Sequence, residues 1–163
     1  MLCEAFAEVI DATVVACREI YGERLRAVVV FGSVARQRMR PDSDLDLLVV
    51  AEPLPRGRLA RMDEFDDVEA RLAPALTEAQ QQGVRTRISA IVRTLAELDQ
   101  GGFLIFDIAC DGRVCFDADG ALTDYLTGVR QRLERRGAKR QTASGDRYWV
   151  LDPDVRPGDV VVL

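Results

Sequence analysis

Residues 27–50 read AVVVFGSVARQRMRPDSDLDLLVV, and this stretch decides the fold class. It contains two short apolar runs, Leu25 to Phe31 and Leu45 to Val50, which are rich in β-branched residues and have almost no polar face. Runs of this length and composition are typical of strands that are covered on both faces of a sheet. We therefore expect two central strands of one sheet, joined by a loop over 32–44.

The flanking segments predict helices that pack on this sheet. Apolar residues recur at three- and four-residue steps in three segments, over about Glu4–Tyr21, Leu59–Leu72 and Leu122–Leu133. Pro74 should end, kink or restart the second helix. Val84 to Val92 predicts a third strand, and Arg113 to Phe116 a short edge strand. The fold class expected is α/β (α+β), a small mixed sheet with packed helices.

The composition excludes several kinds of chemistry. The 163 residues include no histidine, which excludes Ser-His-Asp and Cys-His pairs, His-ligated zinc and an imidazole base. The single lysine, Lys139, lies outside any GxxxxGK[ST] motif, so a Walker-type loop is excluded too. A net charge of -5 with 48% hydrophobic residues predicts a single domain over 1–163, with a core over about 1–95 and a helical or extended C-terminal extension over 96–163.

The cysteines and the first apolar segment predict the cellular compartment of the protein. The four cysteines form no CxxC pair and lie in apolar stretches, so we expect them to be small buried residues of the core. Glu4, Glu8 and Asp11 interrupt the first apolar segment, which argues against a signal peptide or a membrane span. Unpaired thiols and the lack of a targeting segment predict a cytoplasmic protein.

Polar residues stand at the facing ends of the two central strands. Gly32 and Ser33 follow the first strand directly, and Ser43-Asp44-Leu45-Asp46 begins the second. Because side chains alternate along a strand, Asp44 and Asp46 should project from one face with Cα atoms about 7 Å apart. Two carboxylates about 4 Å apart repel by roughly 4 kcal/mol at an effective dielectric of about 20. The sequence therefore predicts a cation between them.

That cation is either an arginine of the connecting loop or a divalent metal ion. Arg36, Arg38 and Arg40 lie in the loop. Mg²⁺ and Mn²⁺ favour carboxylate oxygens and commonly bridge them to substrate phosphates. Gly32 has no Cβ, which lets backbone N–H groups approach a phosphate closely, and Ser33 adds a hydroxyl. A phosphate cradle and two candidate metal ligands are thus expected to face one another.

The ordered pattern resembles the signature of the nucleotidyltransferase superfamily that includes DNA polymerase β. It stands here as Phe31-Gly32-Ser33-Val34-Ala35-Arg36 followed by Pro41-Asp42-Ser43-Asp44-Leu45-Asp46-Leu47-Leu48-Val49, a GSxA…SDxD form. This form is similar to the stand-alone minimal nucleotidyltransferases of bacteria and archaea, some of which pair with a helical toxin partner. The motif covers about 20 residues, and the resemblance in element order covers about the first 95.

The resemblance implies a polymerase-β-like fold and a metal-dependent reaction. The family transfers a nucleoside monophosphate from a nucleoside triphosphate, here expected to be ATP, to a hydroxyl and releases pyrophosphate, with Mg²⁺ or Mn²⁺ as cofactor. The motif assigns nucleotide binding to Gly32, Ser33, Arg36 and Ser43, and metal binding and catalysis to Asp44 and Asp46. The acceptor implied is a protein hydroxyl, such as a tyrosine on a toxin-like partner, or an RNA end.

One departure from the family pattern leaves a second function open. The family usually has a third carboxylate on a later strand, but the predicted strand Val84 to Val92 contains no acid. Ser89 or Arg87 is expected in its place, and Asp107 or Asp111 substitutes only if the following segment folds back over the site. The alternative to an enzyme is therefore a catalytically weak or inactive nucleotide-binding or partner-binding module, of antitoxin type.

The C-terminal region is basic and then aromatic. Basic residues cluster over 130–140 and are followed by Tyr148 and Trp149, which suits an RNA or acidic partner. The interpretation we favour is that the cations complement a helix C-terminus and that both aromatic residues anchor the C-terminal segment on the core. Residues 147–151 and 159–163 are expected to be extended.

Overall fold

The computed structural model describes residues 1–100, 102–143 and 146–151. Its main sheet has four strands in the order β3-β2-β1-β4. The strands are β1 (Leu25–Phe31), β2 (Leu45–Ala51), β3 (Ile88–Arg93) and β4 (Arg113–Asp117). β1 lies antiparallel to β2 and β4, whereas β3 lies parallel to β2. The mixed sheet and the α+β class are confirmed.

The described residues also form five α-helices. They are α1 (Leu2–Tyr21), α2 (Gly32–Ala35), α3 (Arg58–Gln81), α4 (Phe103–Asp111) and α5 (Ala121–Arg135). Short 3₁₀ segments cover Gly22–Arg24 and Leu95–Gln100. A separate antiparallel hairpin pairs β5 (Lys139–Ala143) with β6 (Asp146–Val150). The extended segment expected over 159–163 lies outside the described residues. No helix in the described part of the chain has the length and apolar character needed to cross a membrane.

Helices from two parts of the chain cover opposite faces of the sheet. Leu45, Leu47 and Val49 belong to the core with α1 and α3, whereas Leu48 and Val50 belong to the core with α4 and α5. Side chains alternate along a strand, so β1 and β2 are covered on both faces as their composition predicts. The same alternation puts Asp46 on the face of α4 and α5.

At Pro74 the structure shows neither an end nor a restart of the second helix, and it changes two other expectations. α3 continues through Pro74 to Gln81. Proline removes the hydrogen bond to the carbonyl four residues earlier, but Ala70 and Pro74 are exposed, so water can serve that carbonyl. The third strand begins at Ile88, later than predicted. The apolar segment after Gly102 is helical, and β5 was not predicted because its KRQTA sequence lacks an apolar alternation.

The cysteine expectation is correct for one residue and wrong for two. Cys17 is fully buried, and burial raises the pKa of its thiol to about 12. Cys115 is half-buried, whereas Cys3 and Cys110 are exposed. Both exposed residues lie in a terminal turn of a helix, on α1 and α4, where apolar neighbours in sequence can lie on a different face.

An ion pair that periodicity does not reveal holds α3 to the 3₁₀ segment after β3. The Arg61 guanidinium donates to both carboxylate oxygens of Glu97 at 2.7 and 2.8 Å, and to the Pro55 carbonyl at 2.9 Å. Glu97 also accepts a hydrogen bond from the Thr94 backbone N–H, as its Thr-x-x-Glu sequence suggests. The arginine and this N–H lower the pKa of Glu97 from 4.5 to about 2.

Glu97→Gln is expected to lower the free energy of unfolding at pH 7 by about 1 kcal/mol, the upper end for partly exposed ion pairs. The folded-state pKa is depressed, so the wild type loses this stability as the pH falls from about 4.5 to about 2. The variant does not, so the two proteins should converge there. Urea unfolding at several pH values measures the gap, with exposed Glu78→Gln as the control; a gap that persists at pH 2 contradicts the ion-pair origin.

Candidate active site

A glycine without side-chain space lies at the centre of the candidate site. Gly32 directly follows β1 and begins α2 with φ +72°, a conformation that L residues other than glycine rarely adopt. A Cβ at this position would lie 3.1 Å from Cγ of Asp46 and closer still to its Oδ2. The Asp46 carboxylate therefore lies directly against the backbone where β1 passes into α2 at Gly32 and Ser33, which we call the Gly32 turn.

The charge of Asp46 is held in a partly buried environment. Burial raises the pKa of Asp46 above its ordinary value of 3.8, and the negative charge of Asp44 raises it further. Hydrogen bonding with Ser89 and the positive charge of Arg36 act in the opposite direction on this pKa. The two aspartates thus interact electrostatically, as their spacing predicts. Of the loop arginines considered for the intervening cation, Arg36 is the one that acts on Asp46.

The other residues of the motif lie around the contact between Gly32 and Asp46. Ser33 lies half-buried in α2, and its carbonyl accepts a hydrogen bond from Arg38 N–H at 2.9 Å. Asp44 is exposed, directly before β2. Ser43 Oγ accepts a hydrogen bond from Arg40 N–H at 2.8 Å, which closes the turn before Asp44. Because β1 and β2 are antiparallel neighbours, both ends of the loop that joins them lie at the same end of the sheet.

Ser89 occupies the position beside Asp46 on the neighbouring strand. In the parallel pairing of β2 with β3, Asp46 is in register with Ser89, and Leu48 with Ile91. The Arg87 side chain is exposed before β3, and the Arg87 carbonyl accepts a hydrogen bond from Leu45 N–H at 2.8 Å. Between the two alternatives for the residue next to the acids, the register selects Ser89.

The segment after β3 does fold back towards the site, but its acids pair with arginines. Asp111 Oδ2 lies 3.8 Å from Arg36 Nη1 and 2.5 Å from Arg140 Nη1. Asp107 Oδ1 lies 3.4 Å from Arg140 Nε and accepts from the Trp149 indole at 3.1 Å. Within residues 1–100, 102–143 and 146–151, no three acidic or thiol side chains are grouped so as to hold a metal ion. Neither aspartate supplies a third carboxylate beside Asp44 and Asp46.

This ion-pair chain links the site to the C-terminal hairpin. Arg140 also lies over the Trp149 ring, 5.0 Å from its centroid, and Trp149 packs edge-on against Phe106. Trp149 therefore anchors the hairpin as expected, whereas Tyr148 is exposed. Sequence spacing does not predict these ion pairs, because Arg36 directly follows α2, both aspartates lie in α4, and Arg140 lies in the hairpin. The pairing of β4 with β1 brings α4 next to the Gly32 turn.

The donor set suits a hard divalent cation. Two carboxylates of like charge interact at the site, and a cation between them would relieve their repulsion. Mg²⁺ and Mn²⁺ bind through oxygen and often use one or two carboxylates together with substrate phosphates. The residues present therefore fit a metal ion whose coordination a bound nucleotide would complete, and Asp44 and Asp46 are the candidate protein ligands.

Comparison with known proteins identifies the family of the chain. A proposed protein adenylyltransferase from Methanocaldococcus jannaschii is 27% identical over 129 residues, which cover 78% of this chain and 82% of that protein. A toxin–antitoxin crystallised with AMP-PNP aligns with a TM-score of 0.47 and 14% identity, over 77% of this chain and 87% of that chain. A proposed nucleotidyltransferase from Sulfolobus solfataricus aligns with a TM-score of 0.45 and 18% identity, over 72% and 88%. The sequence profile of the nucleotidyltransferase domain matches residues 11–99, which contain the Gly32 turn and both aspartates, so the chain belongs to the nucleotidyltransferase domain family.

Proposed function

We propose that this protein transfers the AMP group of ATP to a hydroxyl of another protein and releases pyrophosphate. The observation that carries the proposal is the contact between the Gly32 turn and Asp46, because a phosphate bound by that turn would lie close enough to the carboxylate for one divalent cation to bind both. ATP as donor and a protein as acceptor are supported by the relative named as a proposed protein adenylyltransferase. An RNA end remains the alternative acceptor.

The chain's own residues have distinct tasks in this proposal. Backbone N–H groups of the Gly32 turn and the Ser33 hydroxyl bind the triphosphate, and the Arg36 guanidinium offsets its charge. Ser43 keeps the loop closed so that Asp44 stays next to Asp46. Burial of Asp46 and the close backbone exclude water from one side of the reacting phosphate, which strengthens every charge interaction there.

Asp44 and Asp46 would hold Mg²⁺ or Mn²⁺. When bound, the ion stabilises the charge that develops on the phosphate oxygens during transfer. The acceptor hydroxyl loses its proton to water, its oxygen bonds to the α-phosphorus, and the bond from that phosphorus to the bridging oxygen of pyrophosphate breaks. The protein contributes mainly by positioning the reactants, since phosphoryl transfer needs little covalent chemistry from the enzyme.

A specific observation favours a second candidate, a module that binds nucleotide without turnover. The described residues place a serine and not an acid beside Asp46, so a pair of metal ions would carry less compensating charge. Such a module should bind ATP in the presence of Mg²⁺ and release no pyrophosphate. This role requires the same Gly32 turn and both aspartates.

Transfer of label from α-phosphate-labelled ATP tests the proposal. The purified protein is incubated with Mg²⁺ or Mn²⁺, with and without cell extract, beside the Asp44→Asn/Asp46→Asn double variant; GTP, CTP and UTP are compared as donors. We expect protease-sensitive label with the wild type and ATP and none with the double variant. Ribonuclease-sensitive label would move the acceptor to RNA. Metal-dependent ATP binding without transfer to any acceptor would favour the binding module.

A further inference from the structure

The strand order sets the side from which the α-phosphate is attacked, if the proposed transfer holds. The Gly32 turn follows β1, Asp46 lies on β2 and Ser89 lies on β3, and these strands are neighbours in the order β3-β2-β1. With the β- and γ-phosphates in the turn after β1, the leaving pyrophosphate lies on the β1 side of Asp46. In-line displacement requires the attacking oxygen on the opposite side. The attacking hydroxyl therefore belongs on the β3 side.

The hydroxyl of Ser89 lies on this β3 side of Asp46. Ser89 is the register partner of Asp46 on the neighbouring parallel strand, and its side chain is exposed. The Asp46 carboxylate touches the Gly32 turn from the other side. The Asp46 side chain thus lies between the phosphate cradle and the Ser89 hydroxyl. A phosphate held at Asp46 would therefore have its leaving group on one side and a nucleophile on the other.

The space beside Ser89 can receive a nucleoside. A cavity of about 330 Å³ begins at Leu48 and Ile91, the next register pair on the face of Asp46, and extends to Leu104 and Ile105 of α4. Its leucine and isoleucine side chains suit the face of a base. The polar side chains that also line it, Arg61, Arg93, Glu97 and Gln100, can meet the polar edge of a base or the ribose. The pair that begins the cavity lies about 7 Å along the strands from Asp46 and Ser89, within the length of a nucleoside.

We infer that Ser89 is a self-modification site, to which the protein attaches a nucleoside monophosphate. In this step the Ser89 Oγ forms a bond to the α-phosphorus of a nucleoside triphosphate. The bond from that phosphorus to the oxygen bridging to the β-phosphate breaks, pyrophosphate leaves towards the Gly32 turn, and the hydroxyl proton passes to water. The product is a phosphodiester that joins Ser89 to the nucleoside, and no oxidant or reductant takes part.

Mass spectrometry of the full chain tests the inference, because the sequence isolates the site. Trypsin cleavage after Arg87 and Arg93 releases the peptide ISAIVR, residues 88–93, in which Ser89 is the sole hydroxyl. After incubation with ATP and Mg²⁺ or Mn²⁺, we expect this peptide to gain the mass of one AMP group. Ser89→Ala should abolish the gain, and Ser89→Thr should retain part of it. Thr86→Ala, which removes a neighbouring hydroxyl outside the site, should leave it unchanged.

The possible results separate this inference from the proposed function. Label on a protein in extract with an unmodified 88–93 peptide would overturn the inference and leave the proposed transfer standing. Label on the 88–93 peptide that persists in Asp46→Asn would overturn it too, because the step would not need the site. Absence of transfer to this peptide and to every other acceptor would reject both.

Discussion

Asp46→Asn is expected to lower nucleotidyl transfer by about 10²–10³-fold, the range seen when a group that stabilises transition-state charge is removed. The expected cause is loss of the carboxylate that contacts the Gly32 turn and interacts with Asp44 and Ser89. An amide keeps the shape of the side chain and removes its charge, so metal-dependent nucleotide binding should be lost together with transfer. Label transfer and nucleotide titration with and without Mg²⁺ measure both effects.

The same variant should unfold at a higher temperature than the wild type in metal-free buffer near pH 7. Burial and Asp44 raise the folded-state pKa of Asp46 above 3.8, so the folded protein holds this proton more tightly than the unfolded chain. Raising the pH through that interval therefore removes stability from the wild type and not from the variant. The advantage of Asp46→Asn should be present at neutral pH and vanish below about pH 3.8.

Asp42→Asn is the matched control for this prediction. Asp42 lies two residues before Asp44, is exposed, and pairs only at 3.6 Å with exposed Arg40 among the contacts of the described residues. Its substitution should leave transfer and the pH profile of stability unchanged. A large loss of stability in metal-free Asp46→Asn would instead mean that the carboxylate supports the fold, and equal losses of transfer in both variants would remove the special role of Asp46.

Gly32→Ala is expected to abolish transfer and to lower the free energy of unfolding by about 2–4 kcal/mol, the sum of backbone strain and overpacking. The φ of +72° strains any residue with a Cβ, and the added atom would meet the Asp46 carboxylate. Relief requires Asp46 to move away from the turn, which separates the phosphate cradle from the acid. Urea unfolding and label transfer together measure the two losses.

Gly120→Ala separates strain from contact. Gly120 has φ +79° before α5, and a Cβ there would meet no atom within 4 Å. It should lose about 1–2 kcal/mol from strain alone and keep its transfer activity. If Gly32→Ala transfers nucleotide as well as Gly120→Ala does, the contact with Asp46 is not needed for the reaction.

The central strands and the motif between them could be predicted from sequence because their signals are local. β1 spans the predicted residues, and β2 is one residue longer than predicted. An apolar run needs no partner to identify it, and alternation along β2 relates Asp44 to Asp46 without knowledge of the neighbouring strands. These are the parts of the site that lie within about 20 residues of one another.

The rest of the site depends on which strands are neighbours, and periodicity does not carry that information. Ser89 meets Asp46 because β3 lies parallel to β2, and Asp111 meets Arg36 because β4 lies antiparallel to β1. Which of the three outcomes allowed at Pro74 occurs depends on the environment in a similar way, since the cost of proline depends on whether water reaches the freed carbonyl. Each of these features is set by the environment that a residue meets after folding.

Coverage of both faces of the sheet bears on where the chain can be cut. The family profile ends at residue 99, so a fragment ending there would keep the Gly32 turn, both aspartates and Ser89. It would also lack α4 and α5, against which Leu48 and Val50 pack, so one face of the central strands would be exposed to water. A fragment of this kind should expose a large apolar surface and aggregate. The smallest fragment able to transfer a nucleotide should therefore extend well beyond the residues that match the family profile.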